Sequence, residues 1–82
     1  MRSITDDHGH AWEALALPTR VAHLRHGAVL GFRQAVEAGG AEPITAPITF
    51  NSEDAARSAI ETMSDWELRR RLVLAKTAHG IA

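Results

Sequence analysis

The stretch NSEDAARSAIETMSDWELRRRLVLAKTAHG, residues 51–80, decides the fold. Its second half begins with SDWE at residues 64–67, which has the form of a capping box. In that motif the serine oxygen accepts a hydrogen bond from the glutamate amide, and the glutamate reaches back to the serine amide. Acidic residues fill the first turn, basic residues lie near the end, and Gly80 offers a left-handed stop. The pattern predicts a helix over residues 65–79.

A shorter helix is predicted just before it, over residues 52–63. Asn51 or Ser52 can cap its first turn, which carries two acidic residues. No Gly or Pro separates the two helices, so we expect a tight corner and a single packed unit. Each helix has one apolar stripe at helical spacing, and we expect each stripe to be buried. The stripes are Ala56, Ala59, Ile60 and Met63, then Leu68, Leu72 and Ala75, the second widened by Trp66, Val73 and Leu74.

The part of the chain before these helices is typical of short strands. Residues 44–50, ITAPITF, alternate between inward apolar and outward side chains, and Pro47, which lacks an amide hydrogen, places that strand at a sheet edge. Gly31 indicates a bulge or a close approach. Other strands are predicted at 2–5, 11–17, 20–24 and 28–33, with turns at Asp6-Asp7-His8-Gly9 and His26-Gly27 and a break at Pro18-Thr19.

These elements predict an α+β fold: a three- to four-stranded antiparallel β-meander followed by two C-terminal helices packed on one sheet face. The 82 residues predict a single small domain, residues 1–82. Hydrophobic residues make up 45% of the chain, but many are alanines, so the core is thin and a partner surface would help it.

Composition also bounds the compartment and the partners. The chain has no cysteine, no apolar leader and no window of roughly 18 uncharged apolar residues, and we expect a cytoplasmic protein. Its net charge of −1 gives no general attraction to nucleic acid or anionic lipid.

The histidines are the candidates for a metal site: His8-x-His10, His23-x-x-His26 and His79. They have no recognised ligand spacing and no cysteine joins them, so solvated turn histidines are the favoured interpretation. Asp6, Asp7, His8 and His10 could lie together for acid–base chemistry, but the chain has no catalytic motif such as G-x-S-x-G or H-E-x-x-H. We therefore predict no enzyme activity, no cofactor and no metal.

Aromatic and arginine residues are the candidates for partner contacts. Trp12 and Trp66 are each either core or an interface anchor, and a small sheet cannot easily bury both. The candidate contacts are Trp12, Phe32, Trp66, Arg69, Arg70 and Arg71. An alternative hypothesis is a small nucleic-acid-binding or regulatory module that uses the Arg69–Arg71 helix face with Arg57. The arginine run would equally be explained by a solvated helix face on which Asp65 and Glu67 pair with Arg69 and Arg71.

Three stretches carry a resemblance: RSITDDHGHAW at 2–12, GAVLGF at 27–32 and SDWELRRRL at 64–72. In this layout the chain resembles small bacterial proteins built from a β-meander followed by helices. The resemblance implies the architecture and no catalytic residue. By analogy with such modules, the leading hypothesis is a non-catalytic accessory subunit that docks on a larger complex. An extrinsic subunit of a membrane bioenergetic or photosynthetic complex is one example of this class. Homodimerisation through the edge strand at 44–50 or through the helix pair stays open.

Overall fold

The computed structural model describes residues 2–20, 26–35 and 42–80. The described strands form one antiparallel sheet in the order β1-β2-β3-β4, in which each strand pairs with its neighbour in sequence. Two helices follow the sheet, so the predicted α+β meander is confirmed. The elements are β1 (Arg2–Thr5), β2 (Ala11–Arg20), β3 (His26–Gln34), β4 (Ile44–Phe50), α1 (Glu53–Thr62) and α2 (Asp65–Ala78).

One face of the sheet builds the core against both helices. The cross-strand pairs Ile4↔Trp12 and Ala14↔Phe32 lie on this face, and the predicted inward residues of β4 join them. Trp12 is the largest side chain among several small ones, which is why a sheet rich in alanine still encloses a core. The buried cluster consists of Ile4, Trp12, Ala14, Leu30, Phe32, Ile44, Ala46, Ile60, Leu68, Leu72 and Ala75.

Both helices begin at the predicted serine caps. The Oγ of Ser52 accepts from the amide of Ala55 at 3.1 Å, and the Oγ of Ser64 accepts from the amide of Glu67 at 3.2 Å. Each bond satisfies one of the amides that a helix start leaves without an intrahelical partner. Gly80 follows α2 with a φ of 72°, the left-handed conformation expected of a helix stop.

Arg2 ties the first strand to the corner between the helices. Its Nη1 donates to the carbonyl of Ile60 at 2.9 Å and to the carbonyl of Met63, while Nη2 lies 2.6 Å from Oδ1 of Asp65. The guanidinium therefore satisfies carbonyls at the end of α1 and pairs with the first residue of α2. One side chain fixes both helices against the edge of the sheet.

The hairpin between β2 and β3 differs from the prediction. The predicted break at Pro18-Thr19 is wrong, because β2 continues to Arg20, and the predicted turn at His26-Gly27 is wrong, because both residues pair in β3. The reason is that β1 pairs only with residues 11–14. Beyond them no strand of the described residues pairs with that side of β2, and a proline without an amide hydrogen is accommodated there. Most of the strand predicted at 20–24 lies outside the described residues.

Gly31 shows both features predicted for it. The register between β3 and β4 shifts between Val29 and Gly31, and the side chain of Leu17 lies directly over the glycine on the face away from the helices. A Cβ at Gly31 would stand 2.8 Å from Cγ of Leu17, too close for a real contact. The missing side chain lets Leu17 lie flat on the sheet.

Replacing Arg2 with methionine is expected to destabilise the protein by about 2 kcal/mol, because carbonyls at the helix corner lose a charged donor. The matched control is Arg33→Met, which removes only a half-exposed cross-strand pair with Glu13 at 3.6 Å and should change stability by less than about 0.5 kcal/mol. Urea unfolding followed by circular dichroism measures both. Equal losses in the two variants would show that Arg2 does not hold the corner.

Candidate functional site

The carboxylate of Asp6 lies at the centre of the most connected polar cluster of the described chain. Its Oδ1 accepts from the amides of His8 and His10 at 2.9 and 2.8 Å. Its Oδ2 accepts from Nε1 of Trp12 at 2.8 Å and from Nζ of Lys76 at 2.9 Å. The side chain is 3% exposed. One buried carboxylate thus joins the β1–β2 turn, the core and α2.

Local sequence explains why Asp6 stands there. An aspartate at the start of a turn accepts from amides two and four residues later, and Gly9 takes the positive φ, 81°, that the turn requires. The turn is closed by hydrogen bonds from the amide of Gly9 to the carbonyl of Asp6 and from the amide of Asp6 to the carbonyl of His10. The prediction of a turn with glycine at the left-handed position is confirmed.

Trp12 and Lys76 supply the buried donors. Trp12 is 6% exposed and Lys76 9%. Without Asp6 the indole N–H and the ammonium group would each be buried without an acceptor, which is expensive for both. The ammonium nitrogen also lies 5.5 Å from the centroid of the Trp12 ring, within cation–π range.

The surroundings of Asp6 act on its acidity in opposite directions. Burial raises the pKa of the carboxyl. The hydrogen bonds from Lys76 and from the Trp12 indole lower it, as do those from the two turn amides. The net result is a pKa well below the ordinary range of an aspartate, so the group is ionised throughout the neutral and mildly acidic range. Because its acceptor positions are taken, Asp6 positions the turn against α2 and offers little to a ligand.

A groove runs between the β1–β2 turn and one flank of α2, and we call it the α2 groove. Its deeper end is a pocket of about 130 Å³, and its shallower end is an open depression of about 410 Å³ that reaches the start of the helix. Both ends share Asp7, Arg69 and Val73. The lining residues are Asp6, Asp7, His8, Trp66, Arg69, Arg70, Leu72, Val73, Lys76 and Thr77.

Large apolar side chains on the outer side of α2 are exposed to solvent. Trp66 is 68% exposed, Val73 47% and Leu74 41%. The guanidinium carbon of Arg70 lies 5.7 Å from the centroid of the Trp66 ring. The buried stripe Leu68–Leu72–Ala75 is on the opposite side of the same helix, so the core cannot cover these residues. α2 is apolar on two sides, and only one of them is packed.

Two of the six candidate contacts are corrected by this arrangement. Trp12 and Phe32 are buried, at 6% and 0% exposure, because each occupies the sheet face that the helices cover. Their side chains are not available to a partner. Trp66 is the tryptophan at the surface, which the sequence could not decide.

The three consecutive arginines point in different directions, as residues spaced 100° apart on a helix must. The Nε of Arg69 donates to the carbonyl of Thr5 at 3.0 Å, Arg70 lies over Trp66, and Arg71 approaches Oε1 of Glu67 at 3.6 Å. The predicted pairing of Glu67 with Arg71 is confirmed. Pairing of Asp65 with Arg69 is not found, because Asp65 bonds to Arg2 instead.

The described histidine side chains occupy two separate places. His8 and His10 are exposed on the turn with their ring centroids 6.3 Å apart, and His79 lies at the end of α2. His23 and the side chain of His26 lie outside the described residues. Within the described part of the chain, no group of three or more His, Cys, Asp or Glu residues could hold a metal ion.

The outer edge of β4 is partly closed. The amide of Thr45 donates to Nε2 of His79 at 3.1 Å, and Pro47, two residues on, has no amide hydrogen to offer. An incoming strand would need both positions for regular pairing. The structure therefore weighs against homodimerisation through this edge.

No family model, curated protein or solved structure matches this chain. Neither helix in the described residues combines the length and the apolarity needed to cross a membrane.

Sequence reasoning missed Asp6 and Lys76 as a pair. The sequence places Asp6 only in a predicted turn, and no sequence pattern singles out Lys76. A weak signal existed: a buried tryptophan needs an acceptor for its N–H, and Asp6 lies six residues before Trp12. The contact with Lys76 spans 70 residues, and no local pattern reports it.

Removing the Asp6 carboxylate is expected to lower the free energy of unfolding by about 3 kcal/mol in Asp6→Ala, because the buried ammonium group of Lys76 loses its counter-ion. Asp7→Ala, at the exposed neighbouring position, is the control and should stay within about 0.5 kcal/mol of the wild type. Urea unfolding gives both values, and Asp6→Asn preserves the shape should the alanine variant not fold. Similar stability in the Asp6 and Asp7 variants would contradict a central role for the carboxylate.

The depressed pKa of Asp6 also predicts a dependence of stability on pH. In the unfolded chain the carboxyl titrates near the usual value of about 3.9, and in the folded protein it titrates lower. Its contribution is therefore complete above about pH 5 and is lost as the pH falls from there toward the folded pKa. Urea midpoints measured from pH 6 downward should fall more steeply for wild type than for Asp6→Asn. Parallel curves would overturn the assignment.

Proposed function

We propose that the protein is a non-catalytic interaction module that docks on a larger protein assembly through the outer side of α2. The observation that carries the proposal is the exposure of Trp66, with Arg70 over its ring, on a helix whose other side is already packed. Tryptophan and arginine are the residues most enriched among those that dominate binding energy at protein interfaces.

The energetics favour Trp66 as the anchor. Complete burial of one large apolar side chain contributes about 1.5–3 kcal/mol, and most of the Trp66 surface is still in water. Val73 lies two turns further along the same side of the helix and extends the apolar surface. An exposed apolar area of this kind on a small protein is characteristic of an interaction site.

Two classes of assembly are consistent with this surface. A small accessory subunit of a cytoplasmic complex, or an extrinsic subunit on the cytoplasmic side of a membrane bioenergetic or photosynthetic complex, would each present such a surface. The resemblance to small bacterial β-meander proteins supports this class by analogy.

Nucleic-acid binding is the competing function, and the arginine geometry weighs against it. Arg57 pairs with Glu53 at 2.9 Å and with Asp54 at 3.3 Å. Arg71 approaches Glu67 and points away from Arg69 and Arg70. The basic residues of that hypothesis therefore do not form one positive face.

The test compares two double variants that replace apolar side chains with polar ones on different faces. Trp66→Ser with Val73→Thr alters the outer side of α2, and Leu15→Ser with Val29→Thr alters the face of the sheet away from the helices. Each tagged protein is used at low salt to capture partners from its own organism, with detergent-solubilised membranes retained. Quantitative mass spectrometry then compares the recovered subunits, after circular dichroism shows that both variants fold.

We expect the wild type and the sheet variant to capture the same stoichiometric set of proteins, and we expect the α2 variant not to capture it. The same set with all three proteins, or none with any, would count against docking through α2. Salt-sensitive recovery of nucleic acid, reduced by Arg69→Gln and Arg70→Gln, would replace the proposal with the competing function.

A further inference from the structure

We propose that the α2 groove binds an acidic, amphipathic helical segment of the partner protein. This inference rests on the proposed docking function and specifies the chemistry of the bound segment. Two features of the groove carry it: the apolar side chains of Trp66, Leu72 and Val73 that lead to a pocket, and two guanidinium groups at the rim.

The shape of the groove suits a helix. From Trp66 to Thr77 it follows α2 for about 16 Å, three helical turns. The β1–β2 turn forms the opposite wall through Asp7 and His8, so a partner helix would lie between that turn and α2. Recognition of this kind uses apolar side chains at i, i+3 or i+4, and i+7.

The apolar surface within the groove changes from open to enclosed along its length. Trp66 and Val73 offer broad exposed surfaces at the open end, while Leu72 contributes to the wall of the deeper pocket. The pocket, of about 130 Å³, has room for a single side chain of the partner. An apolar residue fits best there, because Lys76 already has its counter-ion in Asp6.

The charges at the rim select the sign of the partner. The ion pair between Asp6 and Lys76 is internally neutral. Arg69 is held at the wall by its bond to the carbonyl of Thr5, and Arg70 lies over Trp66, so two positive charges face the groove against the single carboxylate of Asp7. Carboxylates flanking the apolar residues of the partner would complement this surface.

A second copy of this chain is a poorer occupant. Two α2 grooves meeting face to face would bring four guanidinium groups from Arg69 and Arg70 into one interface with two carboxylates from Asp7. Like charges brought together at an interface disfavour that association. Charge complementarity thus favours a different, acidic chain.

The probe is a phage-displayed library of random peptides about 16 residues long, enough for roughly 24 Å of helix. Selection uses the folded wild-type protein, with depletion of phage that bind the Trp66→Ser, Val73→Thr variant. We expect enriched peptides to carry apolar residues at helical spacing and an excess of Asp and Glu over Lys and Arg.

Affinities of one enriched peptide then test the charge argument by fluorescence anisotropy. Arg70→Gln should weaken binding roughly tenfold at low ionic strength, with a smaller difference in high salt. Arg70 is chosen because Arg69 also bonds to the backbone of Thr5. Arg71→Gln, on the same helix but outside the groove, is the matched control and should leave affinity unchanged.

The outcomes separate this inference from the proposed function. Peptides that need Trp66 and Val73 but show no acidic excess, or bind Arg70→Gln and Arg71→Gln equally, would overturn the acidic-helix inference and leave docking through α2 standing. A selection that yields no peptide dependent on this face would also overturn it, while the capture experiment decides the docking function independently.

Discussion

The buried carboxylate of Asp6 is the contact on which the arrangement of sheet and helices depends. It orders the first turn by accepting two backbone amides, satisfies the indole of the core tryptophan, and neutralises an ammonium group delivered by α2. Replacing the indole or the ammonium group by water would require opening the core at its edge. The core is thin and rich in alanine, and the hydrogen-bonded ion pair between Asp6 and Lys76 fixes how α2 lies across the sheet. The turn and the helix then form the two walls of the α2 groove.

Arg2 makes the complementary link a short distance away. It reaches the helix corner from the start of β1, whereas Asp6 reaches the last turns of α2 from just beyond the end of the same strand. The two links flank the four residues of β1 and hold α2 near both of its ends. The first strand is short and pairs with only a small part of the sheet. Its main contribution is the tertiary contact of α2 with Arg2 and with Asp6, which directly follows the strand.

Sequence alone predicted what depends on neighbouring residues. Ser64 and Gly80 mark the ends of α2 by local hydrogen bonding and backbone conformation, and Gly9 marks the first turn in the same way. The β2–β3 hairpin was predicted at the wrong place. A proline interrupts a strand when both sides of that strand are paired, but the four residues of β1 pair only with residues 11–14 of β2 and do not reach Pro18.

The site was less accessible to sequence reasoning for the same physical reason. Lys76 lies among arginines on an apparently solvated helix, and its burial follows from a contact with a residue at the other end of the chain. The choice between Trp12 and Trp66 depends on which helix face meets the sheet. That choice was open until the stripe Leu68–Leu72–Ala75 could be seen against β4 and β1.

The burial of Lys76 has a consequence for chemical probes of this protein, because it is the chain's single lysine. In the folded state its amine is shielded and bonded to Asp6, so we expect it to react slowly with acylating reagents, and α2 offers no exposed lysine to amine-directed cross-linkers. Carboxylate- or arginine-directed reagents are the appropriate choice for mapping contacts there. Acylation of Lys76 instead requires the buried pair to open. The rate of acylation at this one residue therefore measures how often α2 separates from the first turn.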